Sequence, residues 1–111
     1  MAAKANIIIE QGTDFSTTLT VEGDSGSATD LTGYTGAAQI RKHYTSNTAT
    51  NFTVTFGTPR TDGKLTLSLD RTVTANIADG RYVYDVELTN SANTRTRLVE
   101  GIVTVTPQVT R

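Results

Sequence analysis

The chain of 111 residues has no cysteine and no tryptophan. The first absence removes both a disulfide framework and a thiolate metal site. The second, with only three phenylalanines and four tyrosines present, leaves few platforms on which sugars or bases stack. No charge of one sign dominates: 10 basic residues face 11 acidic ones, for a net charge of -1, which argues against an electrostatic nucleic-acid binder. No long apolar run exists either. The run Ile7-Ile8-Ile9 near the N-terminus is too short for a signal-peptide core or a membrane span. A single histidine, His43, and two prolines complete the scarcities.

Threonine fills much of the space they leave, with 23 of the 111 positions. Its branched, stiff side chain suits a half-wet pleated surface better than a helix. Period two dominates accordingly. Residues 6–12 form an apolar strand. Residues 14–21 alternate Phe15, Thr17, Leu19 and Val21 against small hydroxylated residues. Residues 36–44 place Ala38 and Ile40 on one side, 52–56 place Phe52, Val54 and Phe56, and 65–69 place Leu65, Leu67 and Leu69. Turn-rich stretches separate them at 22–30, 45–51 and 57–64, the last with an Asp-Gly pair that punctuates a hairpin. Over 70–80 the period changes: Val73 and Ile77 are four apart, Asp70 or Thr72 is placed to cap a short helix, and Gly80 to stop it. A strand follows over 81–89, a hairpin turn at 90–93, and a last strand over 94–107, in which Gly101 marks a bulge.

These segments predict one domain over residues 1–111, an all-β, immunoglobulin-like antiparallel β-sandwich of about seven strands, with one short helical turn near residues 71–78. A small barrel is the competing architecture. A domain of this size buries roughly 65% of its unfolded surface, enough for a core without staples. The predicted core comprises Phe15, Leu19, Ile40, Phe52, Val54, Leu67, Tyr82, Tyr84, Val86 and Leu88. The stretch "GRYVYDVEL" shows the logic: Tyr82, Tyr84, Val86 and Leu88 face inward, while Asp85 and Glu87 face water. Tyr82 stands where a tyrosine corner lies in such sandwiches, its hydroxyl reaching a backbone carbonyl of the preceding loop. Tyr84 fills core.

Reactive constellations are weak. His43 lies at a strand end beside Arg41 and Lys42, without a nucleophile or a third group to orient it. Asp85 and Glu87 share a strand face at about 7 Å, a glycosidase-like separation, but a sandwich this small has little room for a cleft, and Arg95 or Arg97 is the expected partner across the hairpin. Asp24 and Asp30 with intervening serines match no calcium loop. Arg60 and Lys64 near a loop tip are too few for nucleic-acid binding. Tyr34 and Tyr44 are the only tyrosines free enough to serve as a sugar platform. The run Ile7, Ile8, Ile9 is apolar on both faces of its strand, so its outer side is covered within the domain or meets a partner. The expectation is a non-enzyme with no cofactor, metal, membrane, nucleic-acid or small-molecule partner.

Taken in order, the segments "IIIEQGTDFSTTLTV", "DLTGYTGAAQIRK", "LTLSLD", "ADGRYVYDVEL" and "LVEGIVTVTPQVTR" resemble small virion structural proteins of tailed bacteriophages, especially marine phages with contractile tails. They are also similar to the N-terminal β-sandwich domain of phage baseplate upper proteins. The matching positions are Gln11, Gly12 and Phe15; Asp30 to Thr35; Leu65, Leu67 and Leu69; Gly80, Tyr82, Tyr84, Asp85, Glu87 and Leu88; and Gly101, Val103, Val105 and Pro107. Longer relatives continue into linkers and fibre regions, whereas this sequence ends at Arg111, so the expectation is a stand-alone module. The resemblance implies a virion protein (tail or baseplate, neck or capsid-associated) made in the bacterial host cytoplasm and assembled with other virion proteins and copies of itself. A carbohydrate- or host-surface-binding module is the alternative.

Overall fold

A computed structural model of the chain describes residues 3–21 and 30–109; the turn expected over 22–30, with Asp24, lies largely outside them. Alternation becomes strand wherever the sequence keeps it. The long central pair is β8 (Gly80–Thr89) and β9 (Arg95–Thr106), joined by a tight turn. Asn90 builds that turn: its side-chain Oδ1 accepts the backbone N–H groups of Ala92 and Thr94, and Asn93 takes the left-handed conformation, with φ of 66°, which asparagine tolerates.

A large sheet grows from this pair. On one side β8 binds β4 (Thr35–Arg41), which binds the short β5 (Thr50–Asn51). On the other side β9 receives β1 (Ala3–Lys4) and β2 (Ile7–Glu10). The small sheet has β7 (Lys64–Leu69) at its centre between β3 (Phe15–Thr20) and β6 (Thr53–Phe56). The chain passes from the large sheet to the small one at Phe52, between β5 and β6. There the buried ring meets Phe15 at 6.1 Å and Tyr84 edge-on at 6.2 Å, a favourable aromatic geometry.

The protein is therefore an all-β, immunoglobulin-like sandwich, and the core lies between its two sheets. Leu65, Leu67 and Leu69 of β7 are buried against Ile40, Tyr84, Val86 and Leu88 of the large sheet. Phe15, Leu19, Val54 and Tyr82 from the predicted core are partly buried and pack on its rim. Leu31, fully buried, Val103 and Val105 belong to the core as well. Leu31 is held by its loop: Asp30 Oδ1 accepts both the N–H and the hydroxyl of Thr32, and the Leu31 and Arg60 backbones bond at 3.0 Å.

Three details differ from the sequence expectation. Nine strands form among the described residues, because β1 and β5 are two-residue additions whose pairing depends on neighbours remote in sequence. β1 and β2 run parallel to β9, whereas every other strand pair among the described residues is antiparallel. The bulge of β9 is at Leu98, not Gly101: Val86 faces Val99 while Glu87 faces Arg97. With Leu98 as the extra residue, Val99, Gly101, Val103 and Val105 fall in one inward row. A Cβ at Gly101 would collide with the Ala5 carbonyl, so this glycine admits the N-terminal segment rather than bending the strand.

The expected helical turn is α1 (Arg71–Ala75). Asp70 caps it by accepting the Thr72 N–H, and Asn76, not Gly80, closes it. Gly80, at φ of 138°, instead opens β8 in a conformation suited to glycine.

Candidate interaction surfaces

Three regions concentrate polar structure: the top of the sandwich around α1, the outer face of the large sheet, and its N-terminal edge. At the top, Gln11 clasps two segments. Its side-chain amide donates to Ile77 O at 2.9 Å and accepts from Gln108 N at 3.0 Å. Beside it the Gly12 N–H donates to Thr74 Oγ1, and that hydroxyl donates to Thr13 O. Thr74 is fully buried, and these bonds satisfy it as burial requires. Asp14 holds the start of α1. It accepts the Arg71 backbone N–H at 2.9 Å and its guanidinium at 3.0 Å. These bonds, the backbone one first, draw the Asp14 carboxyl below its ordinary value. The Thr32 hydroxyl and N–H do the same for Asp30.

Both tyrosines of β8 end on backbone carbonyls. Tyr82 OH donates to Ala78 O at 2.6 Å, the tyrosine-corner contact expected from the sequence. Its ring also carries the Lys42 ammonium, 4.8 Å from the centroid. Tyr84 OH donates to Ala5 O at 2.6 Å. Burial pushes both phenols up in pKa. The Ala5 contact passes over Gly101, and Asn6 Oδ1 accepts the Ile102 N–H there. The first strand is thus stitched to the core across the gap between β1 and β2.

On the outer face of the large sheet, Arg97 pairs with Asp85 at 3.3 Å and Glu100 at 3.2 Å. The predicted cross-hairpin ion pair forms with Asp85; Glu87 stands opposite Arg97 in register without an ion pair among the described residues. A shallow basin of about 370 Å³ spans this face, lined by Gln39, Arg41, Tyr44, Asp85, Glu87 and Arg97 among others. Tyr44 is 80% exposed. Tyr34, the other candidate platform, is partly buried against the core.

His43 sits exposed in the turn after β4, its backbone N–H donating to Ser46 Oγ. It joins neither Asp85 nor another acid, and no group of three metal-ligating side chains forms among the described residues. Arg60 is committed to architecture: it donates to Tyr34 O at 2.9 Å and lies 4.4 Å from the Phe56 ring centroid. Of the isoleucine run, Ile9 is fully buried, Ile7 packs on the core, and Ile8 is 67% exposed. No described helix is long and apolar enough to cross a membrane.

The arrangement defines a β-sandwich whose polar groups mostly fix its own loops and edges. Among known proteins, no family model and no curated sequence matches the chain. Solved structures do match in fold. An internalin-like protein of Listeria monocytogenes superposes with a TM-score of 0.51 at 13% identity, over 95% of this chain and 28% of that one. The SrpA adhesin of Streptococcus sanguinis gives 0.53 at 11% identity, over 92% of this chain and 55% of that one. The chain thus spans about a quarter to a half of these larger proteins, and at such identity the likeness is one of fold.

Proposed function

We propose that this chain is a non-catalytic structural module of a tailed-phage virion, built in through contacts with other virion proteins. The observation that supports the reading is where the motifs of the phage resemblance fall. Gln11 and Gly12 clasp the top, Asp30 shapes the loop that buries Leu31, Tyr82 makes the corner, and Gly101 admits the first strand. The shared residues maintain a scaffold, and a scaffold that works in a particle works through its surfaces. Cryo-electron microscopy and peptide mass spectrometry of purified particles test this. Density and peptides for the chain at a repeated position are expected; particles lacking it overturn the reading.

A second reading, a surface-binding module, draws on Tyr44. One exposed ring beside Gln39, Arg41 and Asp85 offers a stacking surface with hydrogen-bonding groups at its margin, as carbohydrate sites do. One of the fold neighbours is an adhesin. Binding to surface polysaccharides on a glycan array, lost in Tyr44→Ala, would favour it; silence across the array counts against it.

A further inference from the structure

We propose that the free edge of β2 pairs with the same edge of a second copy, antiparallel, about a two-fold axis at Ile7, so that the large sheet continues through two molecules. The inference deepens the structural-module reading by naming one partner as the chain itself. β1 and β2 lie at the end of the large sheet and, among the described residues, pair with β9 alone. They share one register, Lys4 beside Glu100 and Ile7 beside Val103. Residues 3–10 therefore make a single edge interrupted only at Ala5–Asn6. An edge strand turns alternate backbone N–H and C=O groups away from its sheet, and these are a template for another strand.

The side chains select the partner. Ile9 is buried and Ile7 packs on the core, so the even-numbered residues of the edge lie on the outer face. On β1 and β2 these are, in order, Lys4, Ile8 and Glu10: basic, apolar, acidic; Asn6, in the interruption, turns its side chain to the Ile102 N–H instead. Lys4, Ile8 and Glu10 are exposed, and neither charge joins an ion pair among the described residues. Read against its own reverse with Ile7 opposite Ile7, the sequence sets Lys4 across from the partner's Glu10, twice per interface. It also makes the two Ile8 side chains diagonal neighbours, the relation through which cross-strand pairs interact. Ile102, 42% exposed, lies diagonal to Ile8 on β9, whose register partner there is Thr104, and widens the apolar strip. A shift of two residues either way separates the opposite charges, and a shift of one turns the faces against each other. An edge complementary to itself is the requirement of a closed two-fold dimer.

Sedimentation velocity on the intact chain up to about 1 mM, which reaches weak contacts, tests the pairing. A concentration-dependent dimer is expected. Lys4→Glu and Glu10→Lys are each expected to weaken it about tenfold, and the double reversal to restore it. Because the chain has no cysteine, a mixture of Lys4→Cys and Glu10→Cys molecules should oxidise to a disulfide-linked heterodimer that neither variant forms alone. A monomer at every concentration overturns the proposal, as does a dimer indifferent to the single reversals or a folded double reversal that stays monomeric; circular dichroism establishes folding in each case. A monomeric chain found in particles would remove the dimer alone, and a dimer absent from particles would remove the virion reading alone.

Discussion

The outer face of the large sheet and that of the small sheet are unlike. The first carries Arg41, Asp85, Glu87, Arg97 and Glu100, with Arg97 shared between two carboxylates. The second carries hydroxyls from all three strands, among them Ser16, Thr18, Thr20, Thr53, Thr55 and Thr66, with Lys64 at the rim. Thr18 and Thr66 stand opposite each other with their oxygens 3.1 Å apart. Both faces cover one hydrocarbon core. An ion network requires particular partners at particular distances, whereas a hydroxyl is satisfied by water or by its neighbour. The large sheet has thus fixed its surface chemistry, and the small sheet has kept a neutral, uniform one. Stability should depend on what lies between the sheets and hardly at all on the small sheet's exterior.

The largest test of that contrast strikes the shared core. Leu67→Ala, at the fully buried centre of β7, should cost about 2–5 kcal/mol in denaturant unfolding, although its strand neighbours Thr66 and Ser68 are expendable. Gly101→Ala should follow at about 1–3 kcal/mol, because the added carbon forces the Ala5 carbonyl away. Hydrogen exchange should then rise over residues 3–10 before the rest of the large sheet. Tyr84→Phe leaves that carbonyl without the phenol and should cost about 1 kcal/mol; loss much below this would mean water replaces the hydroxyl.

Smaller effects separate the two faces directly. Arg97→Ala should cost about 0.2–1 kcal/mol, falling as salt is added, while Thr18→Ala should stay within about 0.5 kcal/mol at any salt. A salt-sensitive Thr18→Ala, or an Arg97→Ala indifferent to salt, would erase the distinction. The smallest effect is in acid. Asp14 has a depressed carboxyl pKa in the folded state, so its contribution is complete above the unfolded value and is lost as pH falls through the folded one. Asp14→Asn should flatten the acid limb of stability against pH by lowering stability slightly at neutral pH and converging on the parent chain in acid.

How much of this was legible in the sequence follows from the range of each interaction. Strands, the inward row of β8 and the tyrosine corner depend on period two and on a loop four residues away, so they can be read locally. Leu31 escaped the predicted core because no alternation surrounds it; it is buried by Arg60 and the Asp30 turn, partners that declare themselves only in the fold. Gly101 breaks the alternation of its strand, but the constraint that requires glycine there comes from Ala5, which lies beyond any local pattern. The apolar character of both faces around Ile8 was visible, and Ile8 proves exposed. The charge order that makes its edge self-complementary acquires meaning only once β2 is known to lie at the end of the sheet.

The parallel seat of β2 also sets a timetable for the ribosome. Ile7 aligns with Val103, which is synthesised 96 residues later. At about 5–20 residues per second the emerging chain carries Ile7 and Ile9 uncovered for about 5–20 s. In that interval a nascent chain on a crowded messenger meets others in the same condition, which makes early capture through Ile7 and Ile9, by a chaperone or by a neighbouring nascent copy, a hazard that ends once these two side chains are seated in the core.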